Sequence, residues 1–153
     1  MKDLLSLLLL VFIIGIFLVG CSKEVVENKR EVEKIVPTGL TNEIGEGNII
    51  VTTPISTSEN ETTPTVYVDE YKGLAQLGFQ SKGFDDSRLS YIYIDGKLNT
   101  IEELGDVNSI TLTICEDDLK EGIHKIEVIQ FDNDKTDGTP VTYKACNYKI
   151  DKR

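Results

Sequence analysis

The chain has 153 residues, and its 26 acidic side chains outnumber 16 basic ones, giving a formal net charge of −10 at pH 7. This excess of negative charge argues against nucleic acid as a partner and against attraction to anionic lipid head groups. Once two N-terminal segments are set aside, the remaining length suffices for one modest hydrophobic core and not for two.

The first segment is apolar and has the length of a signal-peptide core. Residues 4–19 form an apolar run interrupted only by Ser6 and Gly15. A helix that crosses a bilayer needs about 20 apolar residues, so this run is short for a membrane span. A short apolar run followed by small residues is typical of a signal peptide, which we predict over residues 1–20.

The end of that run, the sequence LVGC at residues 18–21, resembles the lipobox of bacterial lipoprotein precursors. The resemblance implies that the peptide is cleaved before Cys21 and that the Cys21 thiol carries diacylglycerol, with fatty acids such as palmitate completing the anchor. It also implies that the chain is held by lipid on the extracytoplasmic face of the cell membrane, within the cell envelope. The alternative is an uncleaved N-terminal membrane helix, which leaves the remaining residues on the same side.

The second segment, residues 21–64, begins with the lipidated cysteine and has the composition of a flexible linker. It contains no aromatic residue, three of the four prolines fall in it, and residues 52–64 are almost entirely Thr, Ser, Pro, Glu and Asn. Such a stretch cannot bury enough apolar surface to offset the entropy lost on ordering. We therefore predict a linker, with a marginal helix over residues 25–36 and a short strand over residues 48–51 as the two exceptions that apolar residues allow.

Residues 65–153 have the composition of a folded domain, because all nine aromatic residues beyond the signal peptide lie there. Short runs rich in Val, Ile, Tyr and Thr are bounded by turn residues, a pattern typical of strands. The pair Asp95 and Gly96 between two such runs indicates a type I′ hairpin. We predict an all-β sandwich with strands at residues 65–70, 73–80, 88–95, 97–100, 109–115, 123–131 and 141–150.

Two stretches of this domain resemble the bacterial immunoglobulin-like domain. YIDGK at residues 93–97 is similar to a hairpin of that family, and residues 119–128 are similar to its approach to the penultimate strand. An acidic turn at residues 132–134 follows, as in that family. The resemblance covers about residues 65–150 and implies an antiparallel β-sandwich of about seven strands. It carries no information about activity.

Cys115 and Cys146 are candidates for a disulfide in an oxidising compartment. Alternation along residues 109–115 points Cys115 outward, whereas Cys146 shares the inward side with Tyr148 and lies opposite Ile126 in the last hairpin. One outward and one inward thiol do not meet the geometry of a disulfide without a bulge. We therefore favour Cys146 as a small core residue and keep the bridge as the weaker alternative.

His124 is the single histidine, and it lies on the same side of its predicted strand as Ile126 and Val128. A catalytic or metal-binding histidine needs convergent partners, which the sequence does not supply. We predict a packed, hydrogen-bonded structural histidine. The sequence also lacks a serine-nucleophile motif, a phosphate-binding loop and a paired-cysteine metal motif, so we predict no enzymatic activity and no cofactor.

Asp132, Asp134 and Asp137 lie in a stretch, residues 132–138, that resembles half of a calcium-binding loop. However, Asp137 holds the position where such a loop needs glycine, and Lys135 lies within the stretch. These aspartates are therefore weak metal candidates. We predict a solvated hairpin turn in their place.

These observations predict a membrane-anchored lipoprotein with a non-catalytic binding or spacer role, whose partner is a protein or a polysaccharide. Tyr91 and Tyr93 are candidates for a partly exposed aromatic face, although a strand with two apolar faces is usually covered on both sides. One alternative is a modulator of an envelope complex or a phage-exclusion factor. Another is a small hydrolase or redox enzyme, against which the missing catalytic motifs argue.

Overall fold

The computed structural model describes residues 36–37, 39–68 and 73–152. The predicted signal peptide, Cys21 and all but the last residue of the predicted helix over 25–36 lie outside these residues. The described residues belong to one unit, Val32–Arg153. Within them, no helix has the length and apolar character that crossing a bilayer requires.

Eight β-strands build the described part of the chain. In chain order they are β1 Asn48–Thr52, β2 Thr65–Val68, β3 Leu74–Lys82, β4 Ser90–Ile94, β5 Lys97–Glu102, β6 Val107–Cys115, β7 Gly122–Phe131 and β8 Pro140–Lys152. Two short 3-10 turns, Glu59–Glu61 and Glu116–Leu119, lie in the connections. The strands form a three-stranded sheet in the order β1-β3-β6 and a five-stranded sheet in the order β2-β8-β7-β4-β5.

The two sheets form the immunoglobulin-like sandwich that the sequence predicts. All seven predicted strands are present, and β1 is the eighth. Every strand pair is antiparallel except that of β2 with β8, which is parallel. The parallel pair lies where the chain changes sheets. After β1, in the three-stranded sheet, the chain enters the five-stranded sheet as β2, beside β8.

The hairpin between β4 and β5 has the predicted turn. Asp95 and Gly96 have φ values of 47° and 75°, the left-handed pair that a type I′ turn requires. The Asp95 carboxylate accepts a hydrogen bond from the Lys125 backbone N–H at 2.9 Å. The turn is thereby fixed to β7, the neighbour of β4 in the sheet.

Alternate residues of the strands face the interior of the sandwich. In β6, Leu112 and Ile114 are buried, whereas Thr111, Thr113 and Cys115 are exposed. Full burial of one such aliphatic side chain stabilises a fold by about 1.5–3 kcal/mol. The largest completely buried residues include Leu77, Phe79, Ile92, Ile94, Leu104, Ile126 and Tyr148.

The linker prediction is wrong for the described residues between 39 and 64, whereas the short strand predicted as an exception over residues 48–51 is confirmed as β1. Strand β1 pairs with β3 over five residues, and its Val51 side chain is completely buried. The domain therefore begins well before residue 65. The polar composition that suggested a linker has another role, because Ser58 Oγ accepts the Val51 N–H at 2.8 Å and Ser56 Oγ accepts the Thr65 N–H at 3.0 Å.

The residues before β1 cover the outer face of the five-stranded sheet. We call Val36, Pro37 and residues 39–46 the strap. Val36 and Leu40 pack against a second apolar cluster on this face, and Ile44 exchanges two backbone hydrogen bonds with Tyr143 of β8, at 3.1 and 3.0 Å. The cluster under the strap consists of Tyr91, Tyr93, Ile129, Phe131 and Tyr143.

Candidate functional site

His124 is the packed, hydrogen-bonded residue that the sequence predicts. Its ring is 6% exposed and stacks on Tyr148, with 5.1 Å between the ring centroids. Nε2 donates to the backbone carbonyl of Lys120 at 2.7 Å, and Nδ1 lies 2.7 Å from Asp95 Oδ2. The histidine thus joins the β4–β5 turn to the connection before β7, which is a structural role.

The two cysteines of the domain occupy the positions that strand parity predicts. Cys115 is exposed at the end of β6, and Cys146 lies opposite Ile126 and packs against the core. Both are free thiols. Burial, with a smaller contribution from the nearby Glu43 carboxylate, raises the pKa of the Cys146 thiol to about 12. The Cys146 thiol is therefore almost entirely protonated at neutral pH, which makes it a poor nucleophile.

The three aspartates weighed as calcium ligands act as hydrogen-bond acceptors in and around the β7–β8 turn. Asp134 adopts a left-handed conformation with φ of 54°. In the part of the chain that the structure describes, no three His, Cys, Asp or Glu side chains converge to hold a metal. Each carboxylate accepts a hydrogen bond instead. Thr139 N donates to Asp132 at 2.8 Å, Leu89 N donates to Asp134 at 3.0 Å, and Asn133 Nδ2 donates to Asp137 at 3.0 Å.

The aromatic face of β4 is covered within the domain. This is what we expect of a strand with two apolar faces. Tyr91 is 7% and Tyr93 1% exposed. The Tyr91 hydroxyl donates to the Asp134 carbonyl at 2.7 Å, and desolvation raises the pKa of Tyr93 to about 12. These rings do not form an open binding platform while the strap is in place.

A polar triad lies beside the aromatic cluster, and sequence reasoning missed it. Tyr143 OH donates to Glu127 Oε1 at 2.8 Å, and Lys125 Nζ lies 2.8 Å from the same oxygen and 2.7 Å from the Tyr143 hydroxyl. Burial opposes charge on Lys125, but the bonds to Glu127 and Tyr143 outweigh it and raise the pKa of Lys125. Lys125 and Glu127 alternate with the buried His124, Ile126 and Val128 along β7, a pattern that by itself is typical of solvent-facing residues. The triad gives the buried Glu127 carboxylate an ion-pair partner and a hydrogen-bond donor, and it links β7 to β8.

An open cleft of about 860 Å³ lies beside β8. We call it the edge cleft. Its lining comes from Glu43 of the strap, from β1, from the 3-10 turn Glu59–Glu61 with its neighbours, and from the middle of β8, which we call the floor. Its lining includes Glu43, Asn48, Ile50, Ser58, Glu59, Asn60, Glu61, Thr62, Thr63, Ala145, Cys146 and Asn147.

The floor of the edge cleft is a stretch of strand edge that lies between two paired stretches. On one side, Ile44 pairs with Tyr143, and on the other, Lys149 N donates to the Pro64 carbonyl at 2.8 Å. Because backbone groups of alternate residues point to the same edge, the N–H and C=O groups of Ala145 and Asn147 face the cleft. In the described residues, no hydrogen bond from these four groups to that side is present. Pro64 has no N–H, so the β2 ladder cannot extend toward Asn147.

The rim of the edge cleft is acidic. Glu59 and Glu61 are exposed on the 3-10 turn, where Asn60 and Glu61 have positive φ values of 59° and 61°. Glu43, the third carboxylate, lies 3.1 Å from Lys144 Nζ. Among the described residues that line the cleft, none is lysine or arginine. The cleft therefore combines unpaired backbone donors and acceptors with negative charge.

No protein-family profile and no curated protein matches this chain. Solved structures do match it: a CARDB domain from Pyrococcus furiosus is 14% identical with a TM-score of 0.40, over 71% of this chain and 97% of that one. Fibronectin(III)-like modules of Clostridium thermocellum CbhA are 15% identical with a TM-score of 0.37, over 61% and 93%.

A third match is a Jonesia denitrificans lytic polysaccharide monooxygenase, 17% identical with a TM-score of 0.34 over 61% of each chain. The order of the strands in the two sheets defines an immunoglobulin-like β-sandwich. Among the described residues, a stretch of the β8 edge is left unpaired at the edge cleft.

Proposed function

We propose that this chain is a lipid-anchored, extracytoplasmic module that binds a partner through its immunoglobulin-like domain without catalysing a reaction. The observation that carries the proposal is the lipobox-like LVGC sequence, which ends an apolar run that is short for a bilayer span. A diacylated cysteine holds a protein at a membrane by about 0.8 kcal/mol per buried methylene. Two or three acyl chains therefore make a lasting anchor.

The position of the strap sets how far the domain can lie from the membrane. Fifteen residue steps separate Cys21 from Val36, the first described residue of the strap. A fully extended chain covers at most about 3.3–3.6 Å per residue, so Val36 can lie at most about 54 Å from Cys21. This limited reach supports a module that meets its partner near the external surface of the cell membrane.

Replacement of the proposed lipidation site tests the anchor. We expect the Cys21→Ser chain to incorporate no clickable palmitate analogue and to accumulate as unprocessed precursor. Cys115→Ser is the matched control, because it removes an exposed thiol and leaves the anchor intact. In-gel fluorescence and mass spectrometry of the intact chain provide the measurement. Equal palmitate incorporation by the Cys21→Ser and unaltered chains would contradict the anchor.

A further inference from the structure

We infer that the edge cleft binds a short, extended, basic peptide segment, which adds a strand to β8. This names the partner of the module proposed above and rests on that proposal for the compartment in which the peptide is met. Extended peptides commonly bind to proteins through main-chain hydrogen bonds to an exposed strand edge. The edge cleft offers such an edge at a defined place.

The backbone of β8 sets the length of the peptide. Tyr143 and Lys149 carry the flanking pairs and are six residues apart, or about 20 Å along a strand. Between them, Ala145 and Asn147 present two N–H donors and two C=O acceptors. A bound strand of four or five residues satisfies these groups, and the two flanking pairs prevent a longer ladder from forming.

The rim sets the charge of the peptide. Glu59 and Glu61 are exposed, and neither has an ion-pair partner among the described residues. Glu43 is already paired with Lys144. Two carboxylates thus remain for cationic side chains, and the net charge of −10 attracts a basic peptide from a distance. The same negative charge repels an acidic peptide.

The alternation of a strand gives the test its sharpest readout. The probe is an acetylated and amidated pentapeptide of alternating lysine and valine, titrated into the 15N-labelled full chain in neutral detergent micelles. Two further versions carry N-methyl groups on one or the other alternate set of residues. We expect the amide resonances of Ala145 and Asn147 to shift on saturation, and one methylated version to lose binding at least about tenfold while the other retains it.

The carboxylates are tested by single substitutions. We expect Glu61→Gln to weaken the affinity for the lysine–valine peptide by about twofold to fivefold, the range for one exposed charge pair. Glu103→Gln is the matched control, because Glu103 is exposed and lies outside the cleft. A glutamate–valine peptide should show no saturable binding.

Three results overturn the inference: no saturable shift with the lysine–valine peptide, equal binding by both N-methylated versions, or equal effects of Glu61→Gln and Glu103→Gln. The second result means adsorption by charge alone. These failures leave the proposed anchor untouched, because palmitate incorporation at Cys21 does not involve the cleft. Conversely, a chain that fails the Cys21 test can still be titrated in micelles.

Discussion

Strands β1 and β6 lie at the two edges of the same three-stranded sheet, yet they come from regions of opposite composition. β6 is nine residues long and alternates Ile and Leu with Thr, so its sequence alone predicts a half-buried strand. β1 is five residues long and is followed by a stretch of Thr, Ser, Pro and Glu. The comparison shows that a polar stretch can belong to a domain when its side chains supply hydrogen bonds to a strand edge.

The outer edge of β1 illustrates this use of polar residues. Ser58 N donates to the Val51 carbonyl and Ser58 Oγ accepts the Val51 N–H, both at 2.8 Å. Thr53 N donates to the Ser56 carbonyl at 2.8 Å. An edge strand with unsatisfied backbone groups invites pairing with other chains. The serines and threonines therefore close this edge, whereas the edge of β8 stays open at the cleft.

Deletion of residues 36–64 gives the largest expected effect and tests whether the N-terminal region belongs to the domain. It removes β1 and uncovers the cluster beneath the strap. Burial of Ile49 and Val51 alone is worth about 3–6 kcal/mol, at about 1.5–3 kcal/mol per side chain. Because natural domains have total stabilities of about 5–15 kcal/mol, we expect weak or lost cooperative unfolding in urea, followed by circular dichroism.

The control for this deletion removes residues 22–31, which fall outside the unit Val32–Arg153. We expect its urea midpoint to match that of the full chain. If the chain lacking residues 36–64 unfolds at the same midpoint as this control, those residues are a linker after all.

Truncation of one buried side chain in β1 gives a smaller effect. Val51 is completely buried, so Val51→Ala removes two methyl-sized groups from the core and leaves a small cavity. We expect the free energy of unfolding to fall by about 2 kcal/mol. Ile55→Ala, at a position that is 61% exposed, should change it by less than about 0.5 kcal/mol. Equal urea midpoints for the two variants would show that β1 contributes no more than an exposed loop.

The sequence predicts what depends on local pattern and short-range chemistry. Alternation in β6 predicts the buried sides of Leu112 and Ile114, and the Asp95-Gly96 pair predicts the turn between β4 and β5. Parity also predicts that Cys146 lies opposite Ile126 and that Cys115 is exposed. Each of these conclusions needs only neighbouring residues and one strand partner.

The sequence does not predict what depends on contacts between distant segments. Leu40 and Ile44 become part of the domain only because β4, β7 and β8 present an apolar outer face. The edge cleft exists because the strap and β2 pair with separate parts of β8, and strand lengths alone do not reveal this gap. Low apolar content makes a segment look disordered when the surface that orders it lies a hundred residues away.

Removal of the Glu43 charge gives the smallest expected effect, and it measures the contact between the strap and β8 directly. The Glu43 carboxylate disfavours a thiolate at Cys146 and so contributes to its raised pKa, although burial contributes more. Glu43→Gln should lower that pKa, enlarge the thiolate fraction and speed alkylation of Cys146 by about twofold to fivefold.

Exposed Cys115 serves as the internal reference, since its alkylation in the same sample should not change. Timed iodoacetamide labelling at pH 8, with peptide mass spectrometry, reads both rates at once. An unchanged ratio of the two rates would mean that Glu43 does not lie against β8 in solution. A ratio that rises in Glu43→Gln, with an unchanged urea midpoint, means that the strap acts on β8 by charge as well as by covering it.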